Sequence, residues 1–573
     1  MAQKSKSRQD SNRLSELLVR NEKVAVGLIV AVALVLRVWH LFQMKTNDPF
    51  FLLPSVDPKV YHEWAIAISQ GDIFGDRVFF LSPLYPYFLA VIYSVFGPGF
   101  FVGKLVQMLL GVMSCVLVYI IGKRVFSIQV GFFAALFFAG YSTMIFYEGI
   151  LLVAGLQTPL NLICIILLLG AADRRSFGRW MAAGVVLGLS ALARPNVLLL
   201  GGFVLTWIFF MTSGRAMTKQ KILLSTVFAV GIGLVVFPVT LRNWLVGDDV
   251  VLVSSQGGVN FYIGNGPDAN GVFIVPSVFP MTRADDPIQQ EQAYRKFAEK
   301  EIGRELKPSE VSAFWSARTW DYIAENPGKW IKILALKCGL FVNHYEQGNS
   351  RDFYSSRDFS TVLRLPLPGF GFLGALGLLG MVLAWKRRRE AFFLYAMVAT
   401  YMVSFVIFFV LAHYRMPVTP FFALFAALAV CRLGDTLKKR RIGPLVAASL
   451  GLAALVAFVN TDFDNTSRSR FMIHYNLGNK YRLMEKDDLA IQAYKRSIEE
   501  NARYISAHNN LALVYERDRK NYGLAIETWR RVFDMARRRG DRHYMERAQR
   551  HIVKLEEVTG RRASPGSRKK KVE

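Results

Sequence analysis

The stretch Ser55–Gly71, SVDPKVYHEWAIAISQG, places an acid, an imidazole and a second acid in one short polar segment, between an apolar run and the proline-aromatic string SPLYPYF. Asp57 has the chemistry of a general base or of a group that orients a hydroxyl, and Asp57, His62 and Glu63 are residue types that bind divalent cations. Asp57-Pro58 also reads as an N-cap followed by proline at the first helical position, which accounts for the acid without catalysis. On that helix Asp57, Tyr61, Trp64 and Ile68 share one face, whereas His62 and Glu63 point to another. Four further polar groups sit at the ends of apolar runs: Tyr147-Glu148, Arg194-Pro195, Arg242-Asn243 and His413-Tyr414-Arg415. A snorkelling arginine or an interfacial tyrosine needs no function, but arginines that converge on one membrane face suit a phosphate or pyrophosphate headgroup.

Whether these groups can meet depends on the elements that carry them. Of the 573 residues 53% are hydrophobic and only 20% charged, and the apolar residues fall in long blocks separated by Lys/Arg clusters, the composition of a polytopic membrane protein with soluble appendages. The formal charge of +27 would point to nucleic acid in a soluble chain. Here most Lys and Arg lie in short loops and at the termini, where they set topology, so no nucleic-acid partner is expected. Cys115, Cys164, Cys338 and Cys431 are far apart, which indicates neither a disulfide framework nor a metal cluster.

The basic segment 1–22 is expected in the cytoplasm, and the following run, about 24–42, lacks a small-residue cleavage site and reads as an anchor. Later spans are expected near 102–122, 128–147, 150–170, 180–194, 196–211, 221–241, 369–385, 391–411, 417–433 and 443–460. With the first they make about eleven, and alternation then places five Lys/Arg clusters on the cytoplasmic side. Two apolar segments must not cross. Leu81–Phe96 reaches only about 24 Å against a hydrocarbon core of about 30 Å, and Trp330–Tyr345 carries Lys332 and Lys337. Both read as helices in the outer interface.

The membrane domain is therefore expected over residues 23–460, with a first extracytoplasmic loop at 43–101 and a large one at 242–368. The large loop combines a strand-like VVLVSS, a glycine-rich turn system GGVNFYIGNGPDANG and two helices, Gln289–Glu305 and Ser309–Glu325, giving a mixed insertion. From 468 to 560 the pattern changes. Leu477, Gly478, Tyr481, Ala490, Tyr494 and Ser497 have tetratricopeptide spacing, and Leu511, Ala512, Tyr515, Ala525, Trp529 and Val532 repeat it with one residue inserted near Asn521. Arg542–Glu557 is expected to cap this α-solenoid, and 561–573 to be a disordered basic tail. With eleven spans the repeat domain is extracytoplasmic.

The order of D57-x3-Y61, SPLYPYFLAVIYSVFG, GLSALARP, LRNW with GGVNFYIGNGPDANG, and AHYRMPVTPFFALFAALA resembles bacterial GT-C glycosyltransferases related to protein O-mannosyltransferases and the lipid A aminoarabinose transferase. Some members of that broad group carry C-terminal tetratricopeptide repeats. The resemblance implies an inner-membrane enzyme that takes a sugar from a polyprenyl-phosphate donor to an extracytoplasmic acceptor with inversion. It also implies an acid of the first loop as the central catalytic residue, matched by Asp57, with Tyr61 one turn on. The phosphate leaving group calls for positive charge, for which Arg194, Arg242 and Arg415 are the candidates, beside Tyr414, with Arg415 the best matched because the family often has an arginine just before the proline of that late span. Glu148 matches a second acidic position that binds sugar or a divalent metal (Mg, Mn or Zn). Pro58 follows Asp57 where relatives carry a second acid, so Asp57, His62, Glu63 and Glu148 remain only weak metal candidates. Asn260, Gly264 and Asn265 match the glycine-rich part of the large loop and are expected to shape a substrate entrance.

The rival readings are a polysaccharide polymerase or ligase using lipid-pyrophosphate glycans, a transporter or flippase of lipid-linked glycans, and an anchored scaffold that meets a protein partner through its repeats. A transporter calls for mid-span charges and internal symmetry, which the sequence does not show.

Overall fold

The computed structural model describes residues 14–174, 176–211, 218–278, 287–348, 351–463 and 470–560. The expected tail 561–573 and residues 1–13 of the basic N-terminal segment lie outside the described residues. Two compact units separate, one formed by 1–48 and 54–463, the other by 49–53 and 464–573.

Among the described residues every regular element of the larger unit is a helix. In chain order it contains α1 (Glu22–Asn47), α2 (Asp57–Ser69), α3 (Leu84–Phe96), α4 (Phe100–Val125), α5 (Ile128–Ala139), α6 (Ser142–Glu148), α7 (Ala154–Arg174), α8 (Phe177–Ala193), α9 (Leu199–Met211) and α10 (Thr218–Gly247). There follow α11 (Gly257–Asn265), α12 (Pro287–Ile302), α13 (Pro308–Glu325), α14 (Pro327–Val342), α15 (Phe370–Ala384), α16 (Phe392–Ile407), α17 (Thr419–Lys438) and α18 (Ile442–Val459). Each expected span falls on helix, although 128–147 is broken at Gly140 and the helix within 391–411 ends at Ile407. Among the described residues seven helices are long and apolar enough to cross a membrane, or eight if α5 and α6, bent by 57°, form one broken span. The other three expected spans, α8, α9 and α16, are shorter apolar helices. The chain is thus a multi-pass helical membrane protein. Helix α3 has 13 residues, about 20 Å, too short to cross.

Lipid supplies no hydrophobic drive between spans, so close packing must. A Cβ on Gly184 of α8 would lie 2.2 Å from the Phe228 carbonyl of α10, and one on Gly380 of α15 would lie 1.8 Å from the Phe425 carbonyl of α17. Only glycine allows those backbones to touch.

Two expectations for the large loop are corrected. VVLVSS forms no strand, and among the described residues the one β-bridge recorded is the isolated Val272–Val410 pair. Its backbone groups are taken up by tertiary contacts: Asn243 Nδ2 donates to the Val251 (2.9 Å) and Val253 (3.3 Å) carbonyls, Thr240 Oγ1 donates to the Leu252 carbonyl (2.9 Å), and Ser255 N donates to Phe79 O. With side chains satisfying its carbonyls, the segment has no need of a partner strand. Second, the glycine-rich run is mostly the helix α11. Its glycines serve close approach, since Cβ atoms at Gly258 and Gly264 would lie 1.8 and 2.0 Å from the Ser312 and Phe408 carbonyls.

The smaller unit holds α19 (Arg470–Leu483), α20 (Asp487–Glu500), α21 (Ile505–Leu513), α22 (Tyr522–Arg539) and α23 (Arg542–Val558), joined by short turns. Ala490, Tyr494, Ala512, Ala525, Trp529 and Val532 form its core. A Cβ on Gly478 would lie 2.6 Å from the Tyr494 ring, so the small residue lets α19 and α20 close on each other. A π-helical turn, Val514–Asp518, ends α21 just before Asn521. Such a turn is how a helix absorbs one extra residue, at the place where the spacing slips by one. Helix α23 is fastened by Glu516, whose Oε2 accepts from Trp529 Nε1 at 3.0 Å and pairs with His551 Nδ1 at 2.7 Å.

Candidate active site

Asp57 and Arg194 are brought together from residues more than a hundred apart, and local sequence explains how each is presented. Arg194 precedes Pro195, and a residue before proline is driven out of the helical region. Its backbone is extended (φ −154°, ψ 117°), which ends α8 and turns the side chain away from the helix. The guanidinium lies 3.8 Å above the ring of Tyr414. Asp57 follows Val56, a β-branched residue at φ 57°. That conformation costs a valine energy and is the kind of local strain that accumulates at functional sites. It makes Asp57 the first residue of α2, with Pro58 behind it.

Asp57 is not a side-chain cap. No capping hydrogen bond forms at this helix start, so the N-cap expectation is corrected. Its carboxylate is partly exposed but enclosed by protein, and this enclosure, opposed by the nearby Arg194 charge, raises its pKa to about 6. Among the described residues Asp57 makes no ion pair, and neither its carboxylate nor the Arg194 guanidinium has a hydrogen-bond partner within the protein. Tyr61 is buried one turn along α2, its ring edge-on to Tyr85 at 5.2 Å. Burial first, then the Asp57 charge, pushes the Tyr61 phenol up, so it stays a neutral donor. Tyr85 is held in turn by Gln107 (2.6 Å), whose amide donates to the Glu148 and Ile150 carbonyls. The SPLYPYF segment is therefore the floor under α2.

The remaining sequence candidates do other work. Arg242 donates through Nε to Phe74 O (2.7 Å) and through Nη1 to Arg77 O (2.7 Å) and Asn243 Oδ1 (3.0 Å), and it stacks on Phe79. It fastens the first loop. Arg415 is 1% exposed and donates to the Phe341 (3.0 Å) and Asn343 (2.7 Å) carbonyls and to Glu346 Oε2 (2.6 Å). Its substrate-binding expectation, like that of Arg242, is corrected, because the guanidinium is occupied by the fold. Glu148 is wholly buried in a bidentate pair with Arg37 at 2.6 and 3.2 Å, leaving neither oxygen for sugar or metal. Asn265 is likewise committed, donating to the Phe261 and Ile407 carbonyls and accepting from Trp330 Nε1 and Lys337 Nζ. Asn260 lies on α11, half-buried, and has only its helical backbone bond.

The weak metal candidates do not gather. His62 Nδ1 pairs with Tyr93 OH at 2.8 Å, Glu63 faces Lys59 at 3.7 Å, and Glu148 belongs to Arg37. Among the described residues no group of three or more His, Cys, Asp or Glu side chains is set to hold a metal. No step is therefore derived through one. Sequence reasoning missed Arg37 and Glu346. An arginine inside an apolar helix with no local acid signals that a distant carboxylate must be buried with it.

No curated protein matches the chain. Among solved structures it is similar to the Archaeoglobus fulgidus oligosaccharyltransferase in its apo form, at 14% identity over 81% of this chain and 59% of that one, with a TM-score of 0.43. A second similarity is to the archaeal oligosaccharyltransferase AglB from the same organism in complex with an inhibitory peptide and a dolichol-phosphate (14% identity, 80% and 59% covered, TM-score 0.40). A third is to ArnT from Cupriavidus metallidurans bound to undecaprenyl phosphate (16% identity, 71% and 78% covered, TM-score 0.33). The chain thus spans 59% of the length of the archaeal protein. Residues 81–241, the stretch from the SPLYPYF floor through Arg194 to the end of the long helix α10, match the family Dolichyl-phosphate-mannose-protein mannosyltransferase.

Proposed function

We propose that the chain is a GT-C-type membrane glycosyltransferase that moves a sugar from a polyprenyl-phosphate-linked donor to an acceptor hydroxyl, on the extracytoplasmic side of a bacterial inner membrane. The observation that carries this reading is the Asp57–Arg194 pair: a carboxylate and a guanidinium close enough for the charge of one to act on the other, without hydrogen-bond partners among the described residues, at the head of α2 and the foot of α8. The match of residues 81–241 to dolichyl-phosphate-mannose-protein mannosyltransferases supports a lipid-phosphate donor.

In this mechanism the acceptor oxygen attacks the anomeric carbon as its proton passes to the Asp57 carboxylate. The bond from that carbon to the phosphate oxygen breaks on the opposite face, and its electron pair leaves with the phosphate, so configuration inverts. Arg194 offsets the charge that grows on the departing phosphate, and Tyr414 holds the guanidinium in place. A phosphate is a good leaving group and needs no paired acid. With a pKa of about 6, Asp57 is mostly ionised at neutral pH yet still basic enough to take a proton. Transfer should therefore fall as pH drops through about 6. We read the smaller helical unit as a tetratricopeptide scaffold that meets an acceptor or a partner protein.

The test is purified Asp57→Asn enzyme. It should bind a polyprenyl-phosphate-sugar as the native protein does and lose transfer. Full transfer by that variant would remove Asp57 from the mechanism.

A further inference from the structure

Beside the C-terminal end of α11, the helices α13 and α14 enclose a half-open cleft of about 290 Å³ lined by Asn265, Tyr322, Lys329, Trp330 and Lys332, among others, with no acidic side chain in the lining. The transfer chemistry does not use it. Lys329 and Lys332 at its rim are exposed, and among the described residues neither has a hydrogen-bond or ion-pair partner. The Trp330 indole is pinned by Asn265 Oδ1 at 3.1 Å, and the same oxygen accepts from the buried ammonium of Lys337 at 2.9 Å. Lys337 also donates to the Val406 carbonyl at 3.2 Å, so its ligands are neutral dipoles and no carboxylate pairs with it. Burial lowers its pKa to about 7, opposed only in part by the neighbouring Cys338 thiol. Next to the rim, Trp320 (55% exposed) and Ile331 (63% exposed) leave an apolar surface open.

We propose that this cleft is a binding site for a phosphate ester, with the anion between Lys329 and Lys332 and its organic part against Trp330 and Ile333. Lysine ammoniums act as point charges that suit phosphate. Trp and Tyr beside open apolar surface suit a headgroup at a membrane interface. The ester comes either from an anionic membrane phospholipid or from a water-soluble phosphate. The site also has a path to Arg194 that does not depend on the proposed reaction. Asn265 and Lys337 grip the carbonyls of Ile407 and Val406 at the end of α16, seven residues before Tyr414, which stacks on Arg194.

The full chain in neutral detergent, titrated separately with short-chain phosphatidylglycerol and with glycerol phosphate and followed by native mass spectrometry, tests the assignment. Phosphatidylglycerol adducts without glycerol phosphate adducts identify the lipid as the source, and adducts of both identify the phosphate ester itself. In either case Lys329→Gln/Lys332→Gln should weaken binding about tenfold, the loss of two charge-assisted contacts. A control that neutralises another exposed basic cluster, Lys386→Gln/Arg388→Gln, should leave binding unchanged. Because both rim lysines are exposed, the double variant folds as the native chain does. No adduct with either probe, or equal binding by the rim and control variants, would overturn the proposal.

Discussion

Two acid–arginine constellations are built from a similar sequence signal, an arginine one or two residues before a proline at a junction between apolar helices, and they differ in what the fold has already done with the charge. At Arg415 the guanidinium is buried, stacked on Phe370 at 3.7 Å, bonded to the Phe341 and Asn343 carbonyls, and closed against Glu346, which also accepts from Tyr141. At Arg194 the guanidinium rests on one tyrosine face, and the nearby carboxylate of Asp57 stays outside ion-pair distance. The first arrangement is buried, with both terminal guanidinium nitrogens engaged. The second holds two charges apart and leaves their hydrogen-bonding capacity for a third molecule. The charge is the same, and the two differ because the fold supplies Arg415 with carbonyls and the Glu346 carboxylate, while among the described residues Arg194 has no hydrogen-bond partner.

The largest effect that tests this contrast is on stability. Arg415→Met leaves Glu346 as an uncompensated buried charge and should cost about 3–5 kcal/mol, seen as a steep fall in thermal stability of the detergent-solubilised protein or as failure to fold. Glu346→Gln, which removes that stranded carboxylate, should restore part of the loss in the double variant. An Arg415→Met protein that keeps its stability and loses only transfer would reverse the assignment of the two arginines. Arg194→Gln is expected to do the opposite, leaving stability within about 0.5 kcal/mol while transfer falls about a hundredfold, the usual cost of removing one group that stabilises developing charge.

A smaller effect sharpens the comparison through pH. The native pKa of Asp57, about 6, lies above its ordinary value of 3.8, so between those values the folded chain binds the proton more tightly than the unfolded chain. Stability is then greatest when Asp57 is protonated, falls as pH rises from about 4 to about 6, and is flat beyond. Asp57→Asn removes that cost and should be the more stable protein at neutral pH by about 1–2 kcal/mol, with the gap closing toward pH 4. A thermal shift of the variant against pH measures it. A variant that is less stable at neutral pH would mean that Asp57 anchors α2, as Arg415 anchors its loop.

The helices were legible in the sequence because a membrane imposes length and hydropathy together, and each expected span falls on helix. Asp57 and Arg194 were legible for a related reason: a proline beside each fixes where a helix starts or stops, and helix ends are where polar side chains gather. The partners were not legible. Glu148 and Arg415 look available in sequence, since nothing local announces that Arg37 or the 341–346 carbonyls will fold onto them. VVLVSS has strand composition, but its carbonyls are claimed by Asn243 and Thr240, a tertiary event. The glycines of GGVNFYIGN read as turns, whereas two of them serve to let a helix touch the Ser312 and Phe408 backbone. In the smaller unit the one-residue slip was visible, but its resolution as a π turn required the coordinates.

The smallest expected effect asks what holds Arg194 in position. The Tyr414 face is its one recorded side-chain contact, and a cation over an aromatic ring contributes about 0.5–2 kcal/mol according to how far it is desolvated. Tyr414→Phe keeps the face and loses the hydroxyl, so transfer should change little. Tyr414→Leu keeps bulk and loses the face, so transfer should fall a few-fold to about tenfold, in kcat more than in donor KM if the guanidinium acts mainly on the departing phosphate. Equal losses in the two variants would point instead to the hydroxyl as a substrate contact. An unaffected Tyr414→Leu would show that Arg194 needs no support, and that the contrast with Arg415 lies in exposure alone.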